Sequence, residues 1–439
     1  MTGSTAGPAH DAPADATAPA PPPILCQRNF QALFGGQLIS ILGERLTYLG
    51  LIGLLAEHTH HFADAKSPVL LSILANVMLA PVLLFAPFTG AWVDRWNLRR
   101  VLIVSDLLRA GLVMLIPVLY PVSHTAATVY GLVFGLFTCN VFFLPAKSAI
   151  TPEIVPKSQL LAANALLAAA GIAATASGAP VGGWVVDHWG WRSALMINAA
   201  TYLVSVISLA LIRYRPHAPQ GPRPEVSWRG YLREVGEGWG VLRRNPPVWL
   251  ALTSLAAVWA GGGFLHVAGN EHIQRAASIP GMERVGVLML ALGIGSGLAT
   301  WWVNTHGRAF PRPALLGGGL LLAGIGLTVF ALSTRFAVFA ASAFVIGLGA
   351  APSFVLSETL LQEGTEPRQR GRVFSARDFL MRLVFLIAVT AAAWLTEAAG
   401  TRVTLVVCAA VTTAAGIAAV AWVRRGPAPA PATGSDASG

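Results

Sequence analysis

Charged side chains are scarce in this chain. Asp, Glu, Lys and Arg together make up 11% of its 439 residues, whereas an ordinary soluble protein contains about 25%. Hydrophobic residues make up 54% of the chain, and the mean hydropathy is +0.62. A water-soluble globular protein is therefore excluded, because so few charged groups could not cover its surface.

Cysteine is also rare. The three cysteines, Cys26, Cys139 and Cys408, are far apart and two of them lie inside apolar runs, so neither a disulfide framework nor a metal cluster is predicted. The sequence has no Walker A motif, no His-Glu-x-x-His zinc motif and no nucleophile elbow. We therefore predict no cofactor, and a membrane-embedded enzyme is only a remote alternative.

Long apolar runs recur along the whole chain, and each is close to the roughly 20 residues that a helix needs to cross a bilayer. Because lipid cannot satisfy the backbone polar groups of a spanning segment, these runs are predicted to be helices. The prediction is an all-α integral membrane protein with twelve spans in two six-helix bundles. The predicted spans are 30–56, 68–93, 101–120, 126–150, 160–186, 193–212, 248–268, 285–303, 313–332, 336–356, 374–395 and 403–423.

Composition divides the chain into five parts. Residues 1–27 and 426–439 are rich in Pro and Ala and are predicted to be disordered tails. Residues 28–213 and 248–425 form the two predicted bundles, and 214–247 form a polar linker between them. Within the linker, "WRGYLREVGEGWGVLRR" is predicted to be an amphipathic helix on the membrane surface.

The basic residues indicate an orientation. With the N-terminus inside, twenty of the thirty Lys and Arg residues fall on the cytoplasmic side and six on the other, the asymmetry of the positive-inside rule. We predict a multi-pass protein of a bacterial cytoplasmic membrane with both termini in the cytoplasm. The net charge of +10 thus reflects topology, and no nucleic-acid partner is predicted.

The polar phrases between the runs carry a family resemblance. "GAWVDRWNLRR", between the second and third spans, resembles the signature of the major facilitator superfamily. "SDLLRAG", "FFLPAKSAITPEIVPKSQLLAANAL" and "RQRGRVF" resemble its drug:proton antiporter branch, which includes macrolide and enterobactin exporters. The resemblance implies a monomer that exports a small amphipathic compound, such as a drug-like metabolite or a siderophore, in exchange for protons. A lysophospholipid flippase or an importer is the alternative.

The loop signature predicts a conformational latch. Asp94 could meet the N-terminal end of the eleventh span, where exposed N–H groups favour an anion by about 0.3–1 kcal/mol, and the contact would exist only while the cytoplasmic mouth is closed. In similar transporters the basic residues brace this latch, which implies the same role for Arg95, Arg99 and Arg100. The arginines could instead serve topology alone.

Glu44 is the leading candidate for proton coupling. In "QLISILGERLTYLG" the polar residues recur every three or four positions and so share one helical stripe: Gln37, Ser40, Glu44 and Tyr48. A cavity carboxyl group that is exposed alternately to the two sides of a membrane can take up a proton on one side and release it on the other. The alternatives are a fixed ion pair with Arg45 or Arg109 and an exposed position at the cavity mouth.

Other polar residues inside the spans have weaker predicted roles. Two charged pairs at helical spacing are predicted to neutralise each other: Asp106 with Arg109, and Asp378 with Arg382. Arg377 could instead face the latch. Two roles are open for three asparagines, contact with the substrate or an interhelical hydrogen bond: Asn76, Asn140 and Asn270. His266 is predicted to be structural rather than a proton carrier.

Small residues in the fifth span predict a close helix contact, either static or sliding. They form two adjacent stripes at a spacing of four: Ala170, Ala174, Gly178 and Gly182, and beside them Gly171, Thr175, Ala179 and Gly183.

Overall fold

The computed structural model describes residues 22–61, 67–93, 96–214, 227–276, 281–365 and 370–425. Within these ranges the chain is almost entirely helical and contains no strand. The helices are α1 (Arg28–His61), α2 (Ser67–Val93), α3 (Leu98–Ser123), α4 (Ala126–Ile154), α5 (Leu160–Ala210), α6 (Trp228–Arg244), α7 (Pro246–Phe264), α8 (Met282–His306), α9 (Arg312–Leu332), α10 (Phe336–Glu363), α11 (Arg370–Ala399) and α12 (Thr401–Arg425).

The predicted twelve-span fold is confirmed. Eleven of the described helices are long and apolar enough to cross a membrane, and α5 does so twice because the chain bends at Gly190, where φ is 78°. The sequence predicted two separate helices here, 160–186 and 193–212. A glycine adopts positive φ without a steric penalty, so one residue makes the turn and almost no loop is needed.

Local sequence explains several helix ends. The side chain of Asn97 accepts a hydrogen bond from the backbone N–H of Arg100 at the start of α3, and Ser227 does the same for Gly230 at the start of α6. Both are residue types favoured at N-caps. Pro residues occupy the first turns of α7 and α9, where a missing N–H costs no helical hydrogen bond.

The spans form two halves, α1–α5 and α7–α12. We call the end of the bundle where α1 begins and α12 ends the near face, and the opposite end the far face. Within the halves, α1 packs on α5, α3 on α4, α8 on α10 and α9 on α12. Between the halves, the main contacts are those of α5 with α8 and of α2 with α11.

The halves pack directly against each other toward the far face. Ala75 of α2 lies in one buried cluster with Val267, Val389, Ala392 and Ala393 of the other half. Met282 and Val285 of α8 likewise pack into the core of the first half. This apolar contact closes the far-face side of the interface between the halves.

The predicted linker contains α6, which covers the sequence "WRGYLREVGEGWGVLRR". Leu242 of α6 is buried beside residues of α7 and α11, and Trp228 at its start makes an edge contact with Phe88 of α2. The helix therefore links the near-face ends of the two halves.

Candidate functional site

A polar cavity lies inside the first half near the middle of α1. Its volume is about 170 Å³. The side chains around it come from five of the six spans of this half and include both charged and aromatic groups: Glu44, Arg45, Thr47, Tyr48, Leu51, Met78, Arg109, Leu136, Phe137, Asn140 and Tyr202. Of the predicted substrate-contact residues, Tyr48 and Asn140 are in this wall.

An ion triad borders the polar cavity. Arg109 pairs with Asp106 one turn earlier on α3 and with Glu44 of α1, its Nη1 atom lying 3.1 Å from Glu44 Oε1. Its guanidinium also lies over the rings of Phe143 and Tyr202, 4.1 and 4.7 Å from their centroids. A charge inside a membrane bundle requires this kind of compensation, because an unpaired ion there is costly.

The three members of the triad differ in exposure. Asp106 is 0% and Arg109 1% exposed, whereas Glu44 is 28% exposed. Among the described residues that line the polar cavity, Glu44 is the carboxylate. Glu44 is thus the carboxylate of the triad that is open to the cavity, while Asp106 is paired with Arg109 out of contact with solvent.

A second, apolar cavity is lined by the other half and by Tyr48 of the first half, and its volume is about 290 Å³. Its lining is mostly aliphatic and aromatic: Tyr48, Gly262, Leu265, His266, Gly269, Asn270, Ile273, Val285, Leu288, Met289, Leu292, Phe330, Ala343 and Phe385. Tyr48 borders both cavities and therefore marks the boundary between a polar and an apolar compartment.

Tyr48 and His266 form a hydrogen bond between the halves. The hydroxyl of Tyr48 lies 2.8 Å from Nδ1 of His266. His266 belongs to a π-helical segment, Leu265–Gly269, that continues α7, and a second such segment follows at His272–Ala276. Such segments are frequent at functional sites. This contact was not predicted from the sequence, although a cluster of polar residues beside an apolar run could have indicated a functional position here: His266, Asn270, Glu271 and His272.

The other residues of the α1 stripe lie away from the two cavities. Gln37 and Ser40 are buried and line neither cavity.

Two of the asparagines predicted as substrate contacts on other helices have protein partners. Asn76 donates a hydrogen bond from Nδ2 to Oγ1 of Thr390 on α11, at 3.0 Å, and Asn270 donates to the carbonyl of His266 in its own helix. Asn76 therefore bonds to a neighbouring helix, whereas Asn270 bonds within its own helix and also lines the apolar cavity.

The predicted latch is only partly within the described residues. Asp94 and Arg95 lie outside them. Arg99 donates hydrogen bonds to the carbonyls of Leu209, at 3.1 Å, and Ala210, which end α5. A cation is favourable at a helix C-terminus, so Arg99 stabilises this helix end within its own half. The side chain of Arg100 is exposed.

The second predicted charge pair, Asp378 with Arg382, does not form, because Asp378 has a different partner. Asp378 Oδ1 accepts hydrogen bonds from Nη2 and Nε of the adjacent Arg377, at 2.9 and 3.0 Å, rather than from Arg382. Arg377 also pairs with Glu358 of α10. The Nε and Nη2 atoms of Arg377 bind Asp378 and its Nη1 atom binds Glu358, so this one guanidinium neutralises both carboxylates.

The two small-residue stripes of α5 face different helices. A Cβ atom on Gly178 or Gly182 would lie 3.0–3.2 Å from atoms of Arg45 on α1. One on Gly183 would lie 2.2 Å from the carbonyl oxygen of Met282 on α8. Gly178 and Gly182 of one stripe therefore pack within the first half, whereas Gly183 of the other packs across the interface between the halves.

Together, the two helical halves and the cavities within the bundle are those of a membrane transporter. The chain belongs to the Major Facilitator Superfamily, whose sequence profile matches residues 33–275 and 276–438.

Curated relatives are similar over most of the chain. Macrolide efflux protein A of Streptococcus pyogenes is 23% identical over 403 residues, which cover 87% of this chain and 94% of that protein. The lysophospholipid transporter LplT of Serratia proteamaculans is 28% identical over 361 residues, 79% of this chain and 83% of that protein.

Solved structures share the fold. A bacterial homologue of the human lysosomal transporter Spinster, in an inward-facing and unoccupied conformation, has a TM-score of 0.69 at 14% identity and covers 92% of this chain and 99% of that one. The nucleoside transporter NupG has a TM-score of 0.70 at 12% identity, and the match covers 89% of this chain and 99% of NupG.

Proposed function

We propose that this protein is a secondary active exporter of an amphipathic organic compound, driven by proton antiport. The observation that carries the proposal is the position of Glu44, which is ion-paired with Arg109 and yet exposed to the polar cavity. The similarity to a macrolide efflux protein supports the direction of transport.

The triad allows Glu44 to change its charge. When Glu44 takes up a proton, Arg109 keeps its ion pair with the fully buried Asp106, so no uncompensated cation remains in the bundle. A substrate group that donates hydrogen bonds, such as a protonated amine, then competes with the proton for the carboxylate. This competition is the coupling that antiport requires.

The two cavities give the substrate an orientation. The polar group lies beside Glu44 in the first half, and the apolar body extends past Tyr48 toward the apolar cavity of the second half. Sites of this superfamily lie near mid-membrane between the halves, which move against each other in alternating access.

Transport by proteoliposomes tests the proposal. With the purified protein and an imposed pH gradient, a labelled macrolide or a similar amphipathic amine is expected to accumulate several-fold above its equilibrium level. A protonophore should remove the accumulation, and empty liposomes are the control. If a macrolide and a panel of smaller amphipathic amines all fail to accumulate, the proposal is refuted.

A lysophospholipid is the second candidate substrate. Arg45 lines the polar cavity, its Nε atom is buried without a hydrogen-bond partner, and the described residues include no ion-pair partner for it. A guanidinium binds phosphate well, and one relative is a lysophospholipid transporter. Protein-dependent movement of a labelled lysophospholipid, with amines left unmoved, would favour this candidate.

We also propose that the near face is cytoplasmic, because the basic residues concentrate there, and that Asp94 holds that face closed. Asp94→Asn is then expected to increase the near-face-open population, since a contact present in one state only is weakened. Spin labels at Leu161 on α5 and Asn304 on α8 would measure the opening. Unchanged distances with normally folded protein would contradict the latch.

A further inference from the structure

A segment in the fifth span repeats the sequence around Asp94. "PFTGAWVDRWNLR", residues 87–99, and "PVGGWVVDHWGWR", residues 180–192, are identical at six of thirteen positions, with Asp187 in the place of Asp94. The second and fifth spans cross in opposite directions, so α2 ends at the near face and Asp187 lies at the far face. Inverted repeats of three spans are the way each half of this superfamily is built.

Asp187 caps a helix of the other half. Its Oδ1 accepts a hydrogen bond from the backbone N–H of Met282, at 2.7 Å, and its Oδ2 accepts one from Glu283, at 2.8 Å. These residues begin α8, and the residue before them, Gly281, provides no side-chain cap. Two of the exposed N–H groups of α8 are therefore satisfied by a carboxylate from across the interface, with the favourable charge for a helix N-terminus.

The backbone around this contact leaves little space. Gly281 has φ of 116°, and a Cβ atom there would lie 2.9 Å from Asp187 Oδ2. A Cβ atom on Gly286 would lie 2.3 Å from the carbonyl oxygen of Ala179. The two helices thus meet backbone to backbone, at a distance that any larger residue would increase.

We infer that Asp187 is a positioning residue of the transport cycle that holds the far face closed. The carboxylate belongs to one half and the helix end to the other, so opening the far face must break both hydrogen bonds. The contact stabilises one state of alternating access and not the other. The inference goes beyond the proposed function, since it depends on neither the substrate nor the coupling ion.

Distance measurements test the inference without transport. Spin labels at Thr125 and Thr334, two exposed far-face positions in different halves, would be placed in a background without Cys26, Cys139 and Cys408. Asp187→Ala is expected to lower the ratio of far-face-closed to far-face-open molecules about fivefold, the size of a typical lost N-cap. The ratio for Asp187→Asn should lie between those of the parent and of Asp187→Ala, because asparagine keeps one acceptor oxygen but loses the charge.

Two further variants separate a latch from a general effect of charge. Glu283→Gln removes a negative charge from the same helix turn without touching the two hydrogen bonds, and its distances should match those of the parent. Gly286→Ala should open the far face as Asp187→Ala does, because it forces the helices apart. Asp94→Asn should act at the near face, in the opposite direction. Unchanged Thr125–Thr334 distances in Asp187→Ala would overturn the inference.

Discussion

Glu44→Gln is expected to abolish transport driven by a pH gradient, reducing it to the level of empty liposomes, while substrate binding and downhill exchange continue. Glutamine keeps the shape and much of the hydrogen-bonding capacity of glutamate but cannot titrate near neutral pH. The Glu44 carboxylate lies 3.1 Å from Arg109 and faces the polar cavity, so the substitution changes the group that would exchange the proton. Uphill transport and counterflow in proteoliposomes, measured on the same preparation, separate the two activities.

Glu358→Gln is the matched control for Glu44→Gln. Glu358 also pairs with an arginine, Arg377, but it is 47% exposed and lies outside the lining of both cavities. It should therefore retain gradient-driven transport. If Glu44 is only half of a fixed ion pair, Glu44→Gln should instead lower stability or yield, since part of the compensation of Arg109 is lost. Full uphill activity of the Glu44→Gln protein would eliminate the proton-carrier assignment.

Arg109→Met is expected to destabilise the protein by about 3–5 kcal/mol, the usual loss when one member of a buried ion pair is removed. The substitution leaves Asp106 without its cation in a position that is 0% exposed. It also removes the cation that lies over the rings of Phe143 and Tyr202. Thermal unfolding in detergent, together with the monodisperse fraction of the purified protein, measures the loss.

Arg377→Met is the control for Arg109→Met. Arg377 has two carboxylate partners of its own, but these are 47% and 54% exposed, and exposed ion pairs contribute about 0–1 kcal/mol. Combining Arg109→Met with Asp106→Asn should recover part of the lost stability, because the orphaned charge is then removed. Equal losses for Arg109→Met and Arg377→Met would show that the triad is not the stabilising element we describe.

The membrane-spanning elements were predictable from the sequence because each depends on local properties. A run of about 20 apolar residues has no stable alternative to a helix in lipid, so composition alone located the spans. The spacing of Asp106 and Arg109 also determined their pairing, since residues three apart share a helix face. The same rule gave the wrong partner for Asp378, because its carboxylate pairs with the adjacent Arg377 and not with Arg382.

The choice of partner for Glu44 was open in the sequence. Arg45 and Arg109 were both available, and only the packing of α1 against α3 placed the Arg109 guanidinium beside the carboxylate. Arg45 adjoins Glu44 in the chain but has no ion-pair partner among the described residues. Neighbouring residues on a helix point in different directions, so closeness in sequence favoured neither candidate.

The contacts between the halves were decided by tertiary structure alone. Tyr48 and His266 are 218 residues apart, and Asp187 reaches N–H groups 95 and 96 residues further on. The sequence determined which segments enter the membrane, which charges lie within them and where helices could approach closely. It could not determine which faces meet, because helix association in lipid depends on side-chain packing and hydrogen bonds between segments rather than on the hydropathy that places each segment in the bilayer.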